Sequence, residues 1–264
     1  MKFFTKLFAI FALVALMAGI SFAGVNSVAD LKGAKVGVEN SSAAHEIINE
    51  MLKDSHDNIF VYENVSALVE ALRMGLVDAA VLDETPARYF LINYDDLKVL
   101  PEPVSNFYYG IAFKKGNKLR DDVNKALTEI KDEGILAHII AKYINVEPDP
   151  AEIDLNTGAK GGKLWVGCSA VFPPYEVRTE NGFAGIDIEL CAAIAKKLDK
   201  ELVVIDCRFD ILPEALESGR IDMICSAFTI SDERKKVMDF SDPYDADQEV
   251  ILVLNDKTES ADKK

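Results

Sequence analysis

The chain has 264 residues and a formal net charge of −15 at pH 7. This length exceeds that of a typical single domain, so one large lobe or two smaller lobes are expected. The strong negative charge argues against nucleic acid or an anionic membrane surface as a partner. The four cysteines have no spacing typical of a zinc or redox centre, and each lies in an apolar run, which favours buried free thiols.

The first 23 residues have the pattern of a secretory signal peptide. Lys2 and Lys6 give a basic start, residues 7–20 are apolar, and Ser21 and Ala23 supply the small residues of a cleavage site. The apolar run is shorter than the roughly 20 residues that a spanning helix needs. No cysteine lies near the cleavage point, so we predict a periplasmic protein that is not lipid-anchored.

Apolar runs and helical patterns alternate through the next part of the chain. A strand is predicted at 35–38, and Ser41 or Ser42 is a good N-cap for the helix that follows. Further elements are predicted in the order helix 65–75, strand 78–83, helix 84–94 and strand 97–100. Strands that alternate with helices indicate a parallel α/β sheet.

The second half begins with a strand and turn at 108–117 and two amphipathic helices at 119–131 and 134–144. Residues 146–162 are rich in Pro, Gly, Asp and Asn and form the clearest linker. A second α/β run then extends from residue 163 to a last strand, EVILVLND, and a polar tail at 256–264 that we expect to fray.

Two segments resemble each other. ALRMGLVDAAV at 71–81 aligns with ALESGRIDMIC at 215–225, and in both a helix ends at Gly and a strand begins after Asp. This similarity is weak evidence for two similar doubly wound lobes.

Several polar and aromatic residues fall where strands end, which is where open α/β sheets bind ligands. Ser42 and Ala43, Asp83, the run 169–175, and Thr229 with Arg234 occupy such places. Taken singly, each also has an ordinary structural explanation, as a helix cap, a solvated helix face or part of the core. Together they suit a free amino acid, which needs a guanidinium, a carboxylate and an aromatic wall.

The sequence resembles the extracellular solute-binding proteins of family 3, which deliver polar amino acids to ABC transporters. The resemblance rests on KLWVGCSAVFPPYEV, FTISDERKKVMDFSDPY, LKGAKVGVENSSA and ALRMGLVDAAVLDETPARYF. It implies an α/β, two-lobed periplasmic-binding-protein fold of type II, with two doubly wound lobes joined by a hinge. It also implies a free amino acid as ligand, a membrane permease as partner, no catalysis, no cofactor and no metal.

The order of these segments departs from the family, because LKGAKVGV precedes the segment with which members usually begin. We therefore expect a circular permutant, with lobe 2 at 27–104 and lobe 1 formed by 105–145 and 163–255, joined by the linker 146–162. A single chain crossing near 101–107 would then connect the lobes and loosen the hinge. Completion of lobe 1 within a monomer is favoured, and completion across a dimer is the alternative.

The resemblance also implies roles for individual residues of this chain. In the expected site, Arg234, Thr229, Ser42 and Ala43 bind the α-carboxylate, Asp83 and the Ala227 carbonyl bind the α-ammonium, and Phe172 and Phe209 enclose the side chain. Ser169 stands where many members have an acid. Glu39 and Asp210, if directed inward, would favour a cationic ligand such as arginine or lysine, and the alternative is that both face water.

Two other functions share the fold that the resemblance implies. One is a dehydratase-like enzyme, which should lack the complete set of amino-acid-binding residues and place a general acid in the cleft. The other is a ligand-sensing module for a separate receptor. The presence of Asp83, Thr229 and Arg234 together favours the binding protein.

Overall fold

The computed structural model describes residues 24–144 and 158–255. The predicted signal peptide, most of the predicted linker and the polar tail lie outside these residues. Within the two ranges, no helix has both the length and the apolar character needed to cross a membrane.

The first half of the chain forms the elements that its pattern predicts and one further strand, at Ile59–Tyr62, that the pattern does not predict. Its strands are β1 (Val36–Glu39), β2 (Ile59–Tyr62), β3 (Ala79–Asp83), β4 (Leu97–Val99), β5 (Ser105–Tyr109) and β6 (Ala112–Lys114). Its helices are α1 (Ala43–Met51), α2 (Val65–Arg73), α3 (Glu84–Asn93), α4 (Leu119–Asp132) and α5 (Ile135–Ile144), with 3₁₀ turns at Val28–Gly33 and His56–Asn58.

The second half adds a further set of elements. Its strands are β7 (Lys163–Cys168), β8 (Val171–Phe172), β9 (Glu176–Arg178), β10 (Phe183–Ala184), β11 (Glu201–Asp206), β12 (Met223–Ile224), β13 (Met238–Phe240) and β14 (Asp245–Leu254). Its helices are α6 (Ile186–Lys197), α7 (Leu212–Glu217) and α8 (Asp232–Val237), with a 3₁₀ turn at Phe209–Ile211.

Two α/β sheets define two lobes, as expected for the two-lobed type II fold. The sheet of lobe 2 has the order β2-β1-β3-β14-β4, and the sheet of lobe 1 has the order β11-β7-β12-β6-β13. In each sheet the three strands listed first are parallel and the fourth is antiparallel to its neighbours. All four residues of β1 are buried, because helices cover both faces of such a sheet.

The two similar segments adopt the same turn in the two lobes. In lobe 2 the Asp78 carboxylate accepts from the Lys35 amide at 2.7 Å, and in lobe 1 the Asp222 carboxylate accepts from the Trp165 amide at 2.9 Å. Gly75 and Gly219 end the preceding helices with φ of 70° and 74°, a conformation that glycine adopts without steric cost. The repeat seen in the sequence is therefore a repeat of structure.

The last strand differs from its expected place. We expected it in lobe 1, but β14 leaves lobe 1 and enters the lobe 2 sheet between β3 and β4. Its first half pairs with β5 from Asp245 to Glu249. The lobes are thus connected by a two-stranded antiparallel ribbon and not by one crossing, so the expectation of a hinge loosened by a single connection is wrong. Ladder hydrogen bonds and the apolar side chains of residues 250–253 hold β14 in lobe 2.

Just before α6, the backbone of Gly185 lies very close to the backbone of Tyr175. Gly185 has φ of 131°, and a Cβ atom there would overlap the carbonyl group of Tyr175. The Asp187 amide, two residues later, donates to that same carbonyl at 2.9 Å. Only glycine fits this position without displacing the start of the helix.

We predict that Gly185→Ala lowers the free energy of unfolding by about 3 kcal/mol, from the strained φ and the overlap with backbone. Urea denaturation followed by circular dichroism measures this. Gly33→Ala is the matched control, because a Cβ at Gly33 meets no atom within 4 Å, and it should change stability by less than about 1 kcal/mol. Equal stability of the two variants would contradict the packing described here.

Candidate functional site

Arg234 lies buried at the face of lobe 1 that meets lobe 2. It is the third residue of α8, and its amide donates to the N-cap hydroxyl of Ser231 at 3.2 Å. Its guanidinium donates through Nη1 to the Thr229 carbonyl at 3.0 Å and lies 4.1 Å from the centre of the Phe228 ring. The ring of Phe209 is 5.6 Å away. An arginine held in this way is fixed in position before any ligand arrives.

The same guanidinium reaches across to lobe 2. Its Nη2 donates to the Ser41 carbonyl at 3.0 Å, and its Nε lies 3.9 Å from Glu46 Oε1. Ser41 has φ of 62°, which is uncommon for a residue other than glycine. Ser42 caps α1, since its hydroxyl accepts from the His45 amide at 3.0 Å, and Ala43 is the first residue of that helix.

Asp83 is the main acidic residue on the lobe 2 side. It ends β3, is buried, and accepts a short hydrogen bond from the hydroxyl of Tyr109, which belongs to the core of lobe 1. Burial and the nearby Asp247 raise the pKa of Asp83 to about 7, although hydrogen bonds from Tyr109 and Glu249 and the charge of Arg234 act in the opposite direction. The carboxyl group therefore keeps its proton to a higher pH than an exposed aspartate does.

Glu39 is a second buried carboxyl group of lobe 2. It ends β1, next to β3, and only 6% of its surface is exposed. Burial raises its pKa to about 8, with further contributions from Asp83 and Asp210. Glu39 therefore does not face water, and the exposed alternative considered from the sequence does not hold.

Asp210 has a different role from the one expected. Arg208 donates to it through Nε at 2.9 Å and makes a second, shorter contact through Nη2, and Asn40 of lobe 2 donates to it at 3.1 Å. The neighbouring Arg208 lowers the pKa of Asp210. This carboxylate is already paired, so it serves as a contact between the lobes at the rim and not as an acceptor for a ligand cation.

The two aromatic residues expected to enclose the ligand lie in separate surroundings. Phe172 is partly buried and packs against the cores of both lobes. Phe209 is packed beside Phe228 with ring centres 5.3 Å apart. The rings thus border the cleft from two places, but no contact between them is formed among the described residues.

A buried network supports the loop that carries Ala227 and Thr229. Ala227 has φ of 42°, and its amide donates to Asp187 at 2.6 Å, while the Tyr244 hydroxyl donates to the same carboxylate at 2.9 Å. A second branch runs from the Ser169 amide to the Ser226 hydroxyl at 3.0 Å and on to Glu176 at 2.6 Å. Ser169 therefore contributes its backbone to this network.

Sequence reasoning missed most of that network and the acidic residues of β14. Asp187 resembled an ordinary acid in the first turn of a helix, and Glu249 resembled the polar start of an exposed strand. In the structure both are fully buried. An acid followed directly by a long apolar strand, as in EVILVL, is the one sequence signal that could have pointed to Glu249.

No group of three or more His, Cys, Asp and Glu side chains in residues 24–144 and 158–255 could hold a metal ion. All four cysteines are free thiols, as expected, and Cys168, Cys191 and Cys225 are buried. What the cleft offers is one fixed guanidinium from lobe 1 facing buried carboxyl groups from lobe 2. This arrangement suits a ligand that carries both an anionic and a cationic group.

Residues 164–262 match the family model of bacterial extracellular solute-binding proteins, family 3. This part of the chain is similar to members of that family. It includes the Arg234 loop, the buried network beneath it and β14. The family expected from the sequence motifs is thereby confirmed.

The relatives named for this region bind amino acids. The arginine-binding extracellular protein ArtP of Bacillus subtilis is 39% identical over 103 residues, which cover 38% of this chain and 40% of that protein. The L-cystine-binding protein TcyJ of Escherichia coli is 34% identical over 112 residues, 42% of each chain. These proteins are solute-binding proteins and not enzymes, as we expected for this chain.

One solved structure shows the same similarity. Holo ArgBP from T. maritima is 49% identical over a region that covers 32% of this chain and 38% of that one, with a TM-score of 0.31. This TM-score is too low to say anything about the whole fold. The chain spans about 40% of the length of the curated relatives it matches, so the permuted order of its segments stays a prediction.

The raised pKa of Glu39 predicts a specific dependence of stability on pH. Between the ordinary pKa of 4.5 and the folded value of about 8, the folded state holds a proton that the unfolded state has lost. The contribution of Glu39 to the free energy of unfolding therefore falls as pH rises, by about 1.4 kcal/mol per pH unit in that window.

Urea denaturation of the ligand-free protein at pH 5, 6, 7 and 8 tests this dependence. In Glu39→Gln the free energy of unfolding should fall less steeply with pH than in the unsubstituted protein, by the contribution of one proton, about 1.4 kcal/mol per pH unit. The lowered pKa of His45 acts in the opposite direction but is common to both proteins, so it cancels in the comparison. Identical slopes for the two proteins would show that Glu39 ionises freely in the fold.

Proposed function

We propose that this protein is a monomeric periplasmic binding protein that captures a free amino acid with a cationic side chain and delivers it to the membrane permease of an ABC transporter. The observation that supports it best is the pairing of charge across the cleft. Arg234 is fixed in lobe 1, Asp83 ends a strand of lobe 2, and each shifts the pKa of the other.

The α-carboxylate of the ligand would bind Arg234. The guanidinium already donates one hydrogen bond to the Ser41 carbonyl of lobe 2. A ligand carboxylate would be a stronger acceptor than this carbonyl, because it is charged and can accept two hydrogen bonds at once. The Thr229 hydroxyl and the backbone amide of Ala43, beside the Ser42 cap, would complete the anion site. The cation–π contact with Phe228 supports the guanidinium from behind.

The α-ammonium would bind Asp83 and the Ala227 carbonyl. Ala227 holds an uncommon backbone conformation because Asp187 fixes its amide. Strained residues of this kind persist where the surrounding structure holds them, and they cluster at binding sites. Asp187 would thus act through Ala227, as a positioning residue.

Glu39 is the reason for proposing a cationic side chain. A ligand with a neutral side chain brings one positive and one negative group, which Asp83 and Arg234 already match. Glu39 would then remain a buried, protonated carboxyl group that no charged group of the ligand uses. A guanidinium or ammonium on the side chain would pair with it, and the names of several relatives, which are arginine-binding proteins, support this choice. Phe172 and Phe209 would border the apolar stem.

Closure of the lobes would be the step that traps the ligand. Asn40 bonds to Asp210 across the rim, and Arg208 lies 3.7 Å from Glu63 of lobe 2. These contacts and the Arg234–Ser41 bond join the lobes directly. The β5–β14 ribbon is the natural hinge, since it is the connection that both lobes share.

We predict that Arg234→Ala and Asp83→Asn each weaken arginine binding by about 10²–10⁴-fold. Each substitution leaves one charged group of the ligand buried without its partner, which costs about 3–5 kcal/mol. Isothermal titration calorimetry measures the affinity. Arg120→Ala removes an exposed guanidinium that pairs only locally with Asp121 and should leave the affinity unchanged. Near-normal affinity in either cleft variant would refute the assigned roles.

We predict that Glu39→Gln changes ligand preference and not binding in general. Its affinity for arginine and lysine should fall by about tenfold or more, while that for glutamine or citrulline changes by less than about threefold. A thermal-shift panel of these four ligands, followed by titration, gives the ratio. Equal losses for cationic and neutral ligands would mean that Glu39 does not contact the ligand side chain.

A further inference from the structure

Three polar side chains lie side by side across adjacent strands of the hinge. Glu249 of β14 is directly opposite Asp83 of β3 on one side and Ser105 of β5 on the other. Residues directly opposite each other on antiparallel strands direct their side chains to the same face, with Cβ atoms about 5 Å apart. Asp83, Glu249 and Ser105 therefore form one row on the face that carries Asp83.

The middle and outer members of this row have few groups to pair with. Glu249 is fully buried, and apart from the neighbouring Asp83 carboxyl group no described residue offers a hydrogen bond to its carboxyl oxygens or to the Ser105 hydroxyl. A buried polar atom without a partner is rare in folded proteins and calls for an explanation. An unpaired carboxyl group is the least favourable kind.

The fold itself gives no reason for an acid at this position. Val250, Ile251 and Leu252, which follow Glu249 on the same strand, are buried in the two apolar cores of lobe 2. The neighbouring Gln248 is satisfied by Glu84 at 2.6 Å. A threonine or valine at position 249 would continue the strand at no electrostatic cost, so the carboxyl group is explained best by something that binds to it.

The geometry points to Glu249 as a ligand-binding residue of the same site: with Asp83 and the Ser105 hydroxyl it forms a seat for a primary ammonium group, and it releases a proton when that ammonium binds. This inference rests on the proposed function. A primary ammonium has three N–H donors, and the row offers one acceptor group for each, with the Ala227 carbonyl sharing one of these donors. The ammonium replaces a proton between two carboxyl groups, and the displaced proton passes to solvent.

Before an ammonium binds, Asp83 and Glu249 must hold a proton, since two adjacent buried carboxyl groups cannot both ionise. Burial and the contact with Asp83 raise the pKa of Glu249, and burial raises the pKa of Asp83 as well. The two carboxyl groups therefore share one proton between them. Tyr109 donates to Asp83 from its other side.

The other charged groups around Glu249 do not prevent Asp83 and Glu249 from holding this proton. Asp247 on its own strand opposes ionisation, and Arg234 on α8 favours it more weakly. Of the helices that pack on β14, α3 contributes Glu84, which is paired with Arg88, and α2 contributes Glu70 and Arg73, which pair with each other. On β4, Lys98 is in register with Val253, at the far end of the strand from Glu249.

Calorimetric titration of arginine into the full-length protein at pH 7, in phosphate and in Tris buffer, tests the inference. The difference in binding heat between the buffers gives the number of protons released. The unsubstituted protein should release about two protons, one from the row and one from Glu39 as it pairs with the ligand side chain. Glu249→Gln should reduce that number by at least about half and weaken arginine binding by about tenfold or more. Ser105→Ala should weaken binding to a smaller extent with the proton number unchanged.

Stability separates a binding role from a structural one. Glu249→Gln keeps the shape and removes a buried unpaired acid, so its ligand-free melting temperature at pH 8 should be equal to or above that of the unsubstituted protein. Glu201→Gln, which removes an exposed carboxylate at the start of β11, controls for net charge and should change neither affinity nor proton number. A lower melting temperature with unchanged affinity in Glu249→Gln would overturn the inference.

The remaining outcomes distinguish this inference from the proposed function. Arginine binding with unchanged affinity and proton number in Glu249→Gln would overturn the role of Glu249 and leave the proposed function in place. Failure of the unsubstituted protein to bind any amino acid would remove both. If Glu249→Gln does not fold, titration of Nα-methylarginine into the unsubstituted protein replaces that variant. This ligand has one N–H donor fewer on its ammonium, so it should bind about tenfold more weakly than arginine. Equal binding of the methylated ligand would overturn the three-acceptor seat.

Discussion

The central interaction of this protein is the one between a buried guanidinium of lobe 1 and buried carboxyl groups of lobe 2. Arg234 reaches the lobe 2 backbone at Ser41, and Asp83 accepts from a tyrosine of the lobe 1 core. Because these groups are buried, each ionised group needs a partner of opposite charge or a proton. The face between the lobes therefore holds more buried carboxyl groups than buried cations, and under the proposed function a cationic ligand would balance them.

The fold places these charges through a repeated unit and a shared ribbon. In each lobe a helix ends at glycine, an aspartate fixes the next turn, and a buried strand delivers polar residues to the cleft. The β5–β14 ribbon then connects the two units and carries Tyr109, Asp247 and Glu249 into the site. The residues that would bend in the proposed closure are thus neighbours of those that would hold the ammonium, so binding and hinge movement would share the same strands.

The sequence could predict what depends on local pattern. The alternation of strands and helices, the cap at Ser42, the place of Asp83 at a strand end and that of Arg234 beyond a strand all follow from short segments. The place of β14 could not be predicted in this way, because it depends on pairing with β3 and β5, which lie more than a hundred residues earlier in the chain. The same limit applies to Glu249, since only that pairing shows that its side chain is buried beside Asp83. Asp210 was misjudged for two reasons: its pairing with Arg208, two residues away, was overlooked, and Asn40 reaches it only because the two lobes meet.

A crystal structure of the full-length protein with arginine bound tests the central claim most directly. The account predicts that the α-carboxylate lies bidentate on Arg234 and that the α-ammonium lies within about 3 Å of Asp83, with one lobe on each side of the ligand. It would be contradicted by a ligand bound to one lobe alone, or by a ligand bound elsewhere while Arg234 and Asp83 keep the partners described here.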